Sequence, residues 1–308
     1  MLSYALRRLL HALLVIIGVS LVVFIVCNII GDPVKVMLPL EASHEDYLQL
    51  KHQLGYDDPV LVQFGRFAAG AYHLDFGDSL RERRPALAVV VERLPATFQL
   101  VFTAMIISLL IALPLGIIAS RHPGSILDKF CTLGSLFGVS MPNFWLGMVL
   151  VMIFSVNLGW FASSGYGDGD IRYLVLPVLT LVALAAGRIT QIVRSAMVDE
   201  SGKQYVVTAR AKGLSEMTLI RRHNLKNASI PITTLSSWEL VRMLAGYTVP
   251  VEVIFAWPGI GQLVKDSISN HDLPVVQAVV FVVALMVVVI NVTTDLIYAS
   301  LDPRIRLH

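Results

Sequence analysis

Thr97-Phe98-Gln99-Leu100-Val101-Phe102-Thr103-Ala104-Met105-Ile106-Ile107-Ser108-Leu109-Leu110-Ile111-Ala112-Leu113-Pro114-Leu115-Gly116-Ile117-Ile118-Ala119 contains no charged side chain. About 20 apolar residues in a helix cross the hydrocarbon core of a bilayer, so this block reads as a transmembrane helix. Five more blocks lie on either side of it. Leu9–Ile30 comes first, after Arg7 and Arg8, and is too long for the apolar region of a secretory signal, so an uncleaved first span is expected. Phe130–Leu158 follows with a kink expected at Pro142, then Tyr173–Val193, which contains Arg188. The fifth, Pro231–Phe255, contains Glu239, Arg242 and Glu252, and the sixth, Pro274–Leu301, contains Asp295. The expected architecture is an all-α integral membrane protein with six transmembrane helices over 9–30, 97–119, 130–158, 173–193, 231–255 and 274–301.

Composition agrees. Of 308 residues 56% are hydrophobic and 15% charged, and the mean hydropathy is +0.71, outside the range of ordinary soluble domains. A net charge of +2 gives no ground for a nucleic-acid partner. Cys27 and Cys131 sit inside apolar blocks, where a thiol packs as a small hydrophobe.

The basic residues set the orientation. Arg7 and Arg8 precede the first span, Arg121 and Lys129 join the second to the third, and Arg194, Lys203, Arg210, Lys212, Arg221, Arg222 and Lys226 fill 194–230. Arg304 and Arg306 lie in the last segment, 302–308. By the positive-inside rule all of these face the cytoplasm, giving N-in, C-in, with 1–8 as a cytoplasmic N-terminus. The opposite face receives 159–172, 256–273 and the long loop 31–96, which carries ten acidic against seven basic residues. Within that loop Ser43 and Asp46 form a capping-box pattern with Gly55 as a stop, Asp58-Pro59 opens a second short helix ending near Gly70, and Pro85–Leu94 makes a third at the membrane surface.

The most informative cytoplasmic stretch is Gln204-Tyr205-Val206-Val207-Thr208-Ala209-Arg210-Ala211-Lys212-Gly213-Leu214-Ser215, followed by His223-Asn224-Leu225-Lys226-Asn227. Tyr205–Lys212 reads as a helix with small residues, and Gly213 can supply the left-handed residue that ends it. This stretch resembles the EAA loop of ABC importer permeases, in the form found in the dipeptide, oligopeptide, glutathione and nickel importer family, and specifically in the first of its two permeases. Gly31-Asp32-Pro33, Phe76-Gly77-Asp78-Ser79, Phe255-Ala256-Trp257-Pro258-Gly259-Ile260-Gly261 and Leu301-Asp302-Pro303-Arg304-Ile305-Arg306 carry the resemblance across nearly the whole chain. Val207 departs from it, standing where the family commonly has Arg.

The resemblance implies a type I importer permease, multi-pass in the bacterial inner membrane, that forms half of a translocation pathway. It implies a heterodimer with a second, homologous permease, two ABC ATPase subunits, a periplasmic or lipoprotein solute-binding protein, and contact with membrane lipid. Tyr205, Thr208, Ala209, Arg210, Ala211, Lys212, Gly213, Leu214, Ser215, His223 and Asn227 are then the residues coupled to the ATPase. Di- or oligopeptide is the first solute class, with glutathione, a nickel chelate or an opine-like compound as alternatives.

The chain shows no chemistry of its own. His44-Glu45 lacks the second metalloprotease histidine, since position 48 is Leu48, and Gly202-Lys203 is followed by Gln204, so no phosphate-binding loop exists. No cofactor is expected on this chain; ATP and Mg would reside on the partner ATPases. Glu239 and Arg242, three apart on one helix face, can neutralise each other while lining the pathway. Arg188 would snorkel and Asp295 would bond a neighbouring helix. The alternative reading is a secondary transporter or channel driven by an ion gradient.

Overall fold

The computed structural model describes residues 14–30, 34–35, 38 and 43–301. Among them the secondary structure is helical. In chain order the helices are α1 (Leu14–Cys27), α2 (His44–Gln53), α3 (Val60–Tyr72), α4 (Ala86–Arg121), α5 (Ile126–Ser140) and α6 (Asn143–Leu150). They continue with α7 (Ile171–Ser201), α8 (Gln204–Ala211), α9 (Leu225–Arg242), α10 (Thr248–Ile254), α11 (Ile260–Ser269) and α12 (Leu273–Leu301). Three described helices are long and apolar enough to cross a membrane, Ala86–Arg121, Ile171–Ser201 and Leu273–Thr294. A fourth crossing results if Ile126–Ser140 and Asn143–Asn157 act as one broken span.

The chain divides into two compact units. The first comprises residues up to Pro95 together with Gly259–Val289. Its α2 starts with Ser43 as the sequence predicts: the Ser43 hydroxyl accepts from the Asp46 amide while the Asp46 carboxylate accepts from the Ser43 amide at 3.0 Å. Gly55 follows with a φ of +69°, in the left-handed region that glycine enters without strain. α3 departs from expectation at its start and ends at Tyr72, two residues past Gly70. Pro59 is the N-cap and makes no side-chain cap, because the Asp58 carboxylate is taken by Arg66. Gly70 lies inside the helix, its carbonyl accepting from Asp75 at 2.8 Å. The core of the unit is Ala71, Phe76, Val90, Val275 and Val279. Asp272, 3% exposed, accepts from the Ser79 hydroxyl at 2.5 Å and the Leu80 amide at 3.1 Å, which fixes the turn after the Phe76-Gly77-Asp78-Ser79 motif.

Pro85–Leu94 is not a separate surface helix. It is the beginning of α4, which runs unbroken from Ala86 to Arg121. Pro95 removes one amide from the ladder, but buried Val89 and Val90 before it and Ala96, Leu100 and Val101 after it hold the helix through the proline.

The second unit comprises Ala96–Pro258 and the residues from Ile290. Its central element is α7, whose apolar face from Leu176 through Leu181, Ala185 and Ile189 to Val193 is buried. α5 packs on it at close range. Pro142 does more than kink the expected third span: Met141 is extended, as the residue before proline must be, and the chain turns by 100° between α5 and α6. The expected fifth span starts earlier than predicted, at Leu225, and is interrupted by a π-turn at Met243–Tyr247. Pro250, lacking an amide and crowding the carbonyl four residues back, accounts for the interruption. The Met243 carbonyl accepts the Thr248 amide across this turn and also the Thr248 hydroxyl at 2.8 Å, so one residue fastens the π-turn twice.

Candidate functional site: the loop after α7 and the adjoining charged cavity

The loop after α7 is built around buried Glu200. Its carboxylate accepts from Lys203 Nζ at 2.6 Å and from the Tyr205 hydroxyl. Asn227 Nδ2 donates to the same hydroxyl at 2.8 Å. Tyr205, on α8, therefore bridges the end of α7 and the start of α9. A second bridge runs from Asn224 Nδ2 to the Ser201 hydroxyl at 2.8 Å. Beneath α8, Val206, Ala209 and Leu219 form a small apolar cluster. Lys212 caps the helix and Gly213 has a φ of +83°; Ser215 then caps the next turn by accepting from the Thr218 amide.

This geometry divides the residues that the sequence singled out. All of those described but Ala209 are exposed; Tyr205 and Asn227 are nonetheless hydrogen-bonded to their own protein and Ala209 is buried in it, whereas Thr208, Ala211, Lys212, Gly213, Leu214 and Ser215 make no bridge to α7 or α9 among the described residues. Arg210 donates from Nε to Glu216 at 2.7 Å, so this arginine has an acidic partner within the loop. The Arg210 guanidinium holds the Glu216 carboxyl below the usual carboxylate range. Val207, Leu214 and Met217 add exposed apolar surface to the tip. The His223 side chain lies outside the described residues. Glu200 escaped the sequence reading, and Asn224, quoted with the loop, was given no role; an acid five residues before Tyr205, at the end of an apolar helix, was the available signal. Removing the Tyr205 hydroxyl is expected to loosen α8. A hydrogen bond to a charged group contributes about 1.5–3 kcal/mol, so Tyr205→Phe should speed amide exchange over 204–211 about tenfold in hydrogen-exchange mass spectrometry.

The joint forms one end of an open cavity of about 990 Å³ between α7 and α9. Farther along the cavity, Glu239 accepts through Oε1 from Arg242 Nη1 at 2.7 Å and from Arg188 Nη1 at 3.3 Å. The pair foreseen in the sequence is thus a triad. Arg188 does not stand alone: it also donates to the Tyr247 hydroxyl at 2.8 Å and lies 5.7 Å from the centre of that ring. The π-turn carries Tyr247 to it. Three further charged side chains are fixed elsewhere in the unit. Arg194 makes a bidentate contact with Asp128, and Glu252, fully buried, accepts from the Thr97 hydroxyl at 2.7 Å. Near Glu252, the Trp257 indole of the Phe255–Gly261 motif donates to the Ala96 carbonyl at 2.9 Å. The Asp295 side chain is outside the described residues.

Helices long and apolar enough to cross a membrane, with a capped basic loop and a charged cavity, are the features of a membrane protein. Residues 112–307 match the family described as binding-protein-dependent transport system inner membrane component, and residues 1–101 match its N-terminal counterpart; the chain belongs to this family. It is 35% identical over 316 residues to the oligopeptide transport system permease protein AppB of Bacillus subtilis (strain 168), covering 99% of this chain and 100% of that one. It is 36% identical over 307 residues to the glutathione transport system permease protein GsiC of Salmonella paratyphi A, covering 99% of both. Among solved structures, the inward-facing MetNI methionine ABC transporter is similar with a TM-score of 0.59 at 21% identity, over 70% of this chain and 96% of that one. An amino acid ABC transporter crystallised with histidines gives 0.54 at 14% identity, over 68% and 92%. The fold is that of an ABC importer permease, and the chain is a multi-pass subunit of the bacterial inner membrane.

Proposed function

We propose that this permease forms half of a solute pathway, pairs with a second and different permease, and is driven through its 204–227 loop by two ATPase subunits that bind ATP and Mg. A solute-binding protein outside would deliver the cargo, and six spans in N-in, C-in orientation would place the loop in the cytoplasm. The observation that carries this reading is the division of the loop. Thr208–Ser215 are largely presented outward, while Tyr205 and Asn227 are tied to α7 and α9, so a push on the exposed tip reaches both long helices. Exposed Val207, Leu214 and Met217 give the tip apolar contact area, and Lys212, Arg221 and Arg222 supply basic groups for an acidic rim. The relatives' names support a peptide-like cargo, oligopeptide or glutathione, with a nickel chelate or opine-like compound as alternatives.

Reconstitution tests the scheme. The chain, assembled in proteoliposomes with co-purified partners and binding protein, is expected to accumulate solute with ATP inside and a protonophore present. Uptake that survives without ATPase subunits, or stops when the proton gradient is dissipated while ATP is intact, would identify an ion-driven carrier and refute it.

A further inference from the structure

We infer that Arg188 and Arg242 form a carboxylate-binding station in the cavity, taking the acidic end of the solute as it crosses; this rests on the permease reading above. The argument begins with charge. Guanidinium groups stay protonated at any physiological pH, and here two of them share the single carboxylate of Glu239. The cluster therefore carries an excess positive charge.

The geometry shows where that charge is available. Glu239 is 2% exposed, while the side chains of Arg188 and Arg242 are 28% and 48% exposed. The anion is sunk in the protein and its two cations line the cavity. Both bonds to Glu239 fall on Oε1, and Oε2 is buried without a partner. Neither arginine makes the forked, two-bond contact with the carboxylate that guanidinium geometry allows. Arg188 spends only Nη1, on Glu239 and Tyr247, and Arg242 spends only Nη1, on Glu239. Most of their N–H donors are thus uncommitted among the described residues.

The surroundings favour an anion further. Leu235 and Trp238 contribute apolar wall, and beside such a wall an unmatched cation is less well solvated, so a carboxylate gains more there than in open water. Asp199, the exposed acid in the cavity, makes no ion pair with either arginine among the described residues. It stands eleven residues from Arg188 along α7, about 16 Å at helical rise and beyond the screening length of roughly 8–10 Å. A solute with one carboxylate end fits the cationic end of this cavity.

The test uses the assembled transporter in phosphatidylcholine nanodiscs, with the fluorescence change that Trp238→Phe abolishes as the signal. Tri-alanine is expected to bind saturably and tri-alanine amide at least about tenfold more weakly, the loss seen when one partner of a desolvated charge pair is removed. Arg242→Gln should erase the difference between the two peptides and lower tri-alanine uptake, while ATP hydrolysis continues. Equal binding of both peptides, binding of neither, or an Arg242→Gln variant that retains the preference would overturn the assignment. If phosphatidylglycerol in the nanodisc silences the tri-alanine response and Arg242→Gln transports normally, the arginines hold a lipid phosphate and the assignment is wrong. An assembly that takes up no solute at all would sink the permease reading itself; uptake without carboxylate preference would sink only this inference.

Discussion

Gly138→Leu is expected to remove most of the folded permease from the membrane. A side chain at this position of α5 would place its first carbon 2.4 Å from the Ala183 carbonyl oxygen on α7, and a backbone atom cannot move aside as a flexible side chain can. The partner helix repeats the arrangement, since a carbon added at Gly187 would lie 2.7 Å from the Ser135 carbonyl. Two glycines, one on each helix, thus set how closely α5 and α7 approach, the small-residue packing by which membrane helices associate where lipid gives apolar side chains no preference for one another. Overpacking a tight contact costs about 1–3 kcal/mol and sometimes more, a large share of the stability of any domain. The measurement is the fraction of monodisperse protein recovered after detergent extraction and mild heating. Gly134→Leu is the control. It lies one turn earlier on the same helix, an added carbon there meets nothing within 4 Å, and its recovery should equal wild type.

The second large effect is functional. Gly213→Val should leave the protein folded and inserted yet sever ATP hydrolysis from transport. Space is not the obstacle, because an added carbon at Gly213 meets nothing within 4 Å. The obstacle is the backbone: at φ +83° a β-branched residue is strained by about 1–3 kcal/mol, enough to drive the turn to another conformation and re-aim the tip relative to α8. In reconstituted complexes, uptake per ATP hydrolysed is expected to fall at least about fivefold, in keeping with 1 kcal/mol or more of shift. Unchanged stoichiometry would mean that the turn plays no part in coupling.

How much of this was legible beforehand depends on the distance over which each feature is set. The apolar blocks, the capping box at Ser43 and the glycine stops at Gly55 and Gly213 are local, and residues within one turn determine them. Prolines were harder. Residues 85–94 and 97–119 were read as two helices, yet Pro95 between them is carried inside α4 by burial on both sides; Pro142 was read as a kink and makes a 100° turn. Propensity is the same in the two cases and packing decides the outcome. The charged residues show the limit most clearly. Glu239 and Arg242 are three apart and were paired from sequence, but Arg188 lies 51 residues away from Glu239 and Arg194 is 66 from Asp128. Such partners become visible only when α7 is placed beside α9 and α5. Arg188 looked like a snorkelling side chain because its nearest sequence neighbours offered it no anion.

The division of the loop into an anchored and a presented half changes how its family resemblance is understood. Its small residues do not all serve one purpose: Ala209 packs beneath α8 against Val206 and Leu219, whereas Ala211 and Gly213 face outward. Substitutions at Tyr205, Ala209 or Asn227 should therefore act through the attachment of α8 to its own protein, and substitutions at Leu214 or Lys212 through the docking proposed for the exposed tip.

The most direct test of the central claim is to extract this chain from its native membranes with an affinity tag and identify the proteins that accompany it by mass spectrometry. The account predicts ABC ATPase subunits together with a second, different permease of the same family. Recovery of a stable chain alone, with neither ATPase nor second permease, would contradict it.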